Sequence, residues 1–96
     1  MSYYFVAQIR IHDPKTYQQY LDKVDEVFIK YRGKYLSVEN NPVILEGGWN
    51  YTRCVLIQFE SKEDFEIWYQ SADYQEILKY RLASAECDSI LIKGLS

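Results

Sequence analysis

The chain has 96 residues, 48% of them apolar, and carries a net charge of -3. That length predicts one domain, residues 1–96, with a modest core, near the size at which a chain often needs a partner. The apolar share excludes a disordered chain, and the acidic balance excludes a nucleic-acid binder, which normally selects a basic face.

Tyr3 to Ile11 alternates and predicts a strand. Its odd face is Tyr3, Phe5, Ala7, Ile9 and Ile11; its even face is Tyr4, Val6, Gln8, Arg10 and His12. Asp13-Pro14 then supplies an N-cap followed by proline at the first helical position. In the helix that follows, Tyr17, Tyr20, Leu21, Val24, Val27, Phe28 and Tyr31 form one stripe, and the helix is expected to end at Gly33. Lys34 to Val38 predicts a short strand, Glu39 to Pro42 a turn, and Val43 to Glu46 a second short extended piece that Pro42 keeps at an edge or just outside the ladder.

Arg53 to Phe59 is the next strand, with Val55, Ile57 and Phe59 on one side and Cys54, Leu56 and Gln58 on the other. Ser61-Lys62-Glu63-Asp64 resembles a capping box. Phe65 to Arg81 spaces its large apolar groups by three and four, but Ser71 and Asp73 interrupt the pattern as helix starters. Two short helices joined at Ser71 are predicted, the first a lid on the core and the second capping a pocket beneath it. Ser89 to Lys93 closes the chain as a strand.

The order strand, helix, strand, strand, helix, strand predicts a ferredoxin-like α+β fold, βαββαβ. A four-stranded antiparallel sheet carries the helices on one face, and the first and third strands are expected to be central and parallel to each other. The odd faces of those strands belong under the helices. The even faces mix Tyr4, Val6, Cys54 and Leu56 with Gln8 and Gln58, too apolar for water and too polar for a dry core. A homodimer packed through the open sheet face accounts for that mixture.

Five spaced pieces carry a resemblance. They are Asp13-Pro14-x-x-Tyr17-x-x-Tyr20, Gly33-Lys34-Tyr35-Leu36, Leu45-Glu46-Gly47-x-Trp49-x-x-x-Arg53, Trp68-Tyr69-x-Ser71-x-x-Tyr74-Gln75, and Arg81. Together they cover nearly the whole chain, which resembles a widespread bacterial domain-of-unknown-function family of the dimeric α/β-barrel superfamily. The resemblance implies a ferredoxin-like fold and a dimer whose two sheets form a barrel. Superfamily relatives include cofactor-independent monooxygenases of polyketide quinones, haem-degrading enzymes, muconolactone isomerases and ligand-sensing domains. The chain departs from the family pattern at Arg32, at Val38-Glu39-Asn40-Asn41 and at Ala72, so the turn after the second strand lacks its usual arginine and glycines.

Few residues offer chemistry. His12, the one histidine, stands at a strand end, where it is either a solvated side chain or a base or ligand. Trp68 and Tyr69 face the core, either as packing or as an aromatic wall for a flat ligand. Arg81 follows Ile77 and Leu78 on the apolar stripe, where an unpaired charge is costly. Glu46 or Glu86 would pair it, or a ligand carboxylate would. Glu46 and Arg53 flank Gly47-Gly48-Trp49, a loop able to close a pocket mouth or to form a rim salt bridge. The candidate ligand-binding set is His12, Tyr20, Glu46, Arg53, Trp68, Tyr74 and Arg81; no catalytic residue is assigned.

Cys54 and Cys87 form no Cys-x-x-Cys pair and are expected as buried free thiols in a reducing compartment. The ten tyrosines suit the edge of a small core and half-wet pockets. No metal cluster, Gly-rich phosphate loop or nucleophile triad is present, so no cofactor and no stoichiometric zinc, iron or haem is expected. The start MSYYFVAQIR has neither the basic opening nor the apolar length of a signal peptide, and no run approaches the roughly 20 residues of a membrane span. A cytoplasmic protein without a membrane partner is expected. Two function classes remain. One is a cofactor-free oxygenase- or isomerase-like enzyme acting on a small aromatic or acidic molecule; the other is a non-catalytic binding or structural dimer.

Overall fold

The computed structural model describes residues 1–95. Its elements are β1 (Tyr3–Ile11), α1 (Pro14–Phe28), β2 (Lys34–Glu39), β3 (Arg53–Phe59), α2 (Lys62–Tyr69), α3 (Ala72–Ser84) and β4 (Ala85–Lys93). The strands form one sheet in the order β2-β3-β1-β4, antiparallel at every pairing. The fold is ferredoxin-like, with β1 and β3 central. They are not parallel, however: Tyr3 faces Phe59 and Ile9 faces Arg53 in an antiparallel register. The α1 crossover returns the chain parallel to β1 two positions away, and the β2–β3 connection then reverses it.

The helix starts follow their caps. The Asp13 carboxylate accepts the backbone N–H of Thr16 at 3.3 Å with Pro14 behind it, and Ser61 Oγ accepts that of Asp64 at 3.0 Å. Ser71 is the hinge between α2 and α3. Its Oγ donates to the Trp68 carbonyl at 2.7 Å and accepts from the Tyr74 backbone N–H at 3.2 Å, so it closes one helix and opens the next.

Two boundaries differ from expectation. α1 ends at Phe28 rather than at Gly33, whose φ is not positive. Gly33 is required for space instead: a Cβ there would meet Cε1 of Phe28 and Cε1 of Phe59, each at 2.7 Å. Val43 to Glu46 takes the second of its two expected places, outside the ladder, as part of an irregular arm, residues 40–52, where Pro42 and the left-handed Gly47 (φ 75°) keep the backbone off the sheet. β4 begins at Ala85, four residues before Ser89, and follows α3 with no loop. Glu86 and Asp88 masked the alternation there, but Ala85 and Cys87 pair with Ile11 and Ile9 on the helix-facing side.

That inner face is the core. Phe5, Ala7 and Ile9 of β1 and Val55, Ile57 and Phe59 of β3 are buried under the stripe of α1 and the helices α2 and α3. Trp68, 1% exposed, is its hub, with ring centroids 5.5 Å from Phe59, 5.4 Å from Phe28, 5.8 Å from Phe5 and 4.3 Å from Tyr74. The outer face carries no helix and leaves Tyr4, Val6, Cys54 and Leu56 partly exposed and Ile90 and Ile92 more so. Cys54 and Cys87 are both half-buried rather than buried. Among the described residues no helix is long and apolar enough to cross a membrane.

Gly33→Ala should cost about 1–3 kcal/mol, since the Phe28 and Phe59 rings are packed against further rings and cannot retreat. Urea denaturation at neutral pH measures it, and a change of a few tenths would show that the rings yield.

Candidate functional site

Between the sheet and α1 lies a small internal cavity of about 30 Å3, room for one or two water molecules. β1 supplies its floor through Phe5, Ala7 and Ile9, and β3 adds Arg53, Val55 and Ile57. α1 supplies Tyr17, Tyr20, Leu21 and Val24, and Trp68, Tyr35 and Arg81 close the sides. On the α1 and β2 side, Leu21, Val24, Tyr35 and Arg53 also line a surface depression of about 410 Å3 that includes Asp25 and Val38. The shared residues make a partition between an inner and an outer compartment.

Arg81 is 3% exposed. Its Nη1 donates to Cys87 Sγ at 3.0 Å and its guanidinium stands 5.9 Å from the centre of the Tyr20 ring, while its Nε has no partner. Neither carboxylate suggested by the sequence pairs it. Glu86 pairs with Arg10, and Glu46 is exposed on the arm. Among the described residues no carboxylate forms an ion pair with Arg81 or Arg53. The rim bridge between Glu46 and Arg53 is therefore absent, and Arg53 Nη1 donates instead to Asn40 Oδ1 at 3.2 Å. The Nε of Arg53 and the Nε1 of Trp68 are also buried without a partner. Three side chains lining one cavity thus hold unmet N–H donors, in a setting where an unpaired buried donor is expensive.

The phenols with raised pKa and the Cys87 thiol around the cavity are neutral at physiological pH. Burial raises the pKa of Tyr17, of Tyr20 and of Tyr74, and the Tyr20 and Tyr74 hydroxyls share a hydrogen bond of 2.8 Å. Burial also pushes Tyr35 up to about 12 and raises the Cys87 thiol despite the nearby arginine. For Arg81, burial works against the charge, but the oxygens of Tyr74 and Tyr20 and the Cys87 sulfur outweigh it and the net shift is upward. The inner cavity therefore presents two fixed positive charges and neutral phenols, while the Asp25 carboxylate stands on the outer depression with Arg53.

The expected site residues separate. Tyr20, Arg53, Trp68 and Arg81 converge on the cavity, and Tyr74 lies behind it, bonded to Tyr20. His12 does not join them: it is exposed, and its backbone N–H is taken by the Ser84 carbonyl at 2.9 Å. Glu46 is likewise outside, because the arm carries it away from the partition. Tyr17, Tyr35 and Cys87 were missed; Tyr17 and Tyr35 stand in the motif pieces quoted above, while nothing marked Cys87. Among the described residues no group of three or more His, Cys, Asp or Glu side chains is placed to hold a metal.

The chain matches the model of a family described as Domain of unknown function (DUF1330) over residues 2–95. It belongs to that family. Its fold is similar to that of a protein of unknown function from Rhodopseudomonas palustris, at 18% identity and TM-score 0.83 over 99% of this chain and 83% of that one. A dimeric ferredoxin-like protein of unknown function from Jannaschia sp. is similar at 10% identity and TM-score 0.80, over 98% of this chain and 100% of that one. SnoaB, a cofactor-independent oxygenase from Streptomyces nogalater, is similar at 9% identity and TM-score 0.70, over 99% of this chain and 94% of that one. Identities this low establish the shared fold alone. No curated protein matches significantly.

Tyr35 gives this DUF1330 chain a pH signature. Its pKa is near 10 when unfolded and about 12 when folded, so the stability it lends is complete below about pH 10 and lost as pH rises towards 12. Denaturation midpoints taken across that range should fall, and Tyr35→Phe should make the fall shallower. An unchanged slope in the variant would mean that other groups carry it.

Proposed function

We propose that this protein is a homodimeric binder of small organic carboxylates, with one site per chain between the helices and the sheet. The observation that carries this reading is the trio of unmet donors on Arg53, Trp68 and Arg81 around one cavity, two of them on cations without a carboxylate partner. A buried arginine left unpaired costs several kcal/mol, and a ligand carboxylate that accepts from it in bidentate fashion recovers that cost. The carboxylate belongs in the inner compartment. The body of the ligand, aliphatic or aromatic, belongs in the depression outside the partition, between α1 and β2. The two compartments together fall in the usual size range of ligand pockets.

The likeness to a cofactor-independent oxygenase favours a second reading, a turnover of the bound acid without a cofactor. The residues lean against a base-initiated reaction: every phenol and thiol around the cavity whose pKa is shifted is shifted upward, and His12 stands outside. What the site supplies is positive charge, suited to holding a carboxylate or stabilising an enolate.

Supporting the dimer is the outer sheet face, where Tyr4, Val6, Leu56, Ile90 and Ile92 form an apolar field without a helix over it. A second copy, sheet against sheet, turns that field into an inner surface and closes a barrel. The dimeric Jannaschia protein of the same fold supports it further.

Two measurements test these statements. A panel of small aliphatic and aromatic acids should include one that raises the melting temperature of the wild type but not of Arg81→Met, by about 2.7 kcal/mol of stability at a hundred times its dissociation constant. Arg81→Met should itself fold as well as the wild type, because no protein carboxylate loses its partner. A destabilised variant together with a wild type indifferent to the whole panel would leave Arg81 a structural residue. Separately, light scattering should give a dimer mass for the wild type and monomer or aggregate for Val6→Lys combined with Leu56→Glu. A wild type that is monomeric at micromolar concentration overturns the dimer.

A further inference from the structure

The arm, residues 40–52, is built as a hook with an apolar lining and nothing of its own chain to hold. Val43 and Leu45 are 86% and 87% exposed, and with Pro42, Ile44, Trp49 and one charged residue, Glu46, they line one concavity. An exposed apolar tip of this kind is costly in water and marks a contact.

The root of the arm is anchored on the outer sheet face. Thr52 N–H donates to the Ile9 carbonyl at 2.8 Å, Arg10 Nε donates to the Asn50 carbonyl at 2.7 Å, and Tyr51 Oη donates to Asp88 Oδ2 at 2.7 Å. Tyr51 also lies under the Arg10 guanidinium and against Trp49. Arg10 and Asp88 belong to the outward-facing register of β1 and β4, so this end of the face is polar and already occupied by the chain's own arm. The other end of the same face holds Tyr4, Ile90 and Ile92, of which the two isoleucines are 58% and 46% exposed.

We infer that the arm is an exchanged clasp: Val43 and Leu45 of each chain pack on Ile90 and Ile92 of a second copy. This rests on the sheet-face dimer proposed above and assigns its orientation. With the two-fold axis across the strands, the polar, arm-bearing end of one sheet lies over the apolar end of the other. The apolar tip then meets apolar surface, and each root stays on its own Arg10 and Asp88. The opposite orientation, polar end over polar end, sets both roots against each other and leaves Ile92 and the tips in water. Continuity of the arm with the face that the second copy covers makes that copy the occupant.

The test uses the full chain. Val43→Ser with Leu45→Ser changes only exposed side chains and should leave folding intact while weakening the dimer at least about a hundredfold, because symmetry removes each contact twice. Sedimentation or light scattering over a dilution series reads the change. In a second measurement, chains bearing Leu45→Cys are mixed with chains bearing Ile92→Cys under mild oxidation, with each alone as control for Cys54 and Cys87. A disulfide-linked pair that appears only in the mixture supports the clasp. A dimer whose affinity the arm substitution leaves unchanged, with no cross-link in the mixture, overturns the clasp while the sheet-face dimer stands. A monomeric wild type fails both.

Discussion

The structure depends on how Trp68 seats the helix layer on the sheet. Its indole touches rings from β1, β3, α1 and α3, and aromatic pairs of this kind are worth about 0.5–1.5 kcal/mol each beyond the area they bury. The Trp68 carbonyl also accepts from Ser71 Oγ, which caps α3. The ring that locks the core thereby sets the start of the helix that carries Arg81. The position of a charge in the cavity is decided thirteen residues upstream, by a hydrophobic contact.

Most small domains avoid a buried guanidinium or give it a carboxylate. Here the surrounding groups are a thiol, phenol oxygens and aromatic faces, which soften the charge without neutralising it. The arrangement is acceptor-poor around a donor-rich centre. For the ligand proposed above, such a site would discriminate by what it lacks: an apolar group of the same shape leaves the same donors unmet, so preference for an acceptor-bearing group follows from desolvation more than from attraction.

Much of the fold was legible because its signals are local. Alternation marked β1 and β3, Asp13-Pro14 and Ser61 marked helix starts, and the Ser71 interruption marked the α2–α3 hinge. What was misread depended on neighbours distant in sequence. The start of β4 hides behind Glu86 and Asp88, whose outward side chains are tolerated because the strand lies at a sheet edge. The role of Gly33 is written in the rings of Phe28 and Phe59 rather than in a helix cap. The site was half legible: helical spacing aimed Arg81 inward, but that Glu86 prefers Arg10 and that His12 points away follow only from register and packing.

The absence of a loop between α3 and β4 has a mechanical consequence. The Ser84 carbonyl clamps the backbone N–H groups of both His12 and Asp13, and the next residue is already paired with Ile11 in the sheet. Helix and edge strand are therefore one stiff lever, with Arg81 a single turn from its fulcrum. The backbone that carries Arg81 has no loop in which to shift. Under the function proposed above, a ligand would meet a backbone already in place, and little of its binding free energy would go into reorganising the chain.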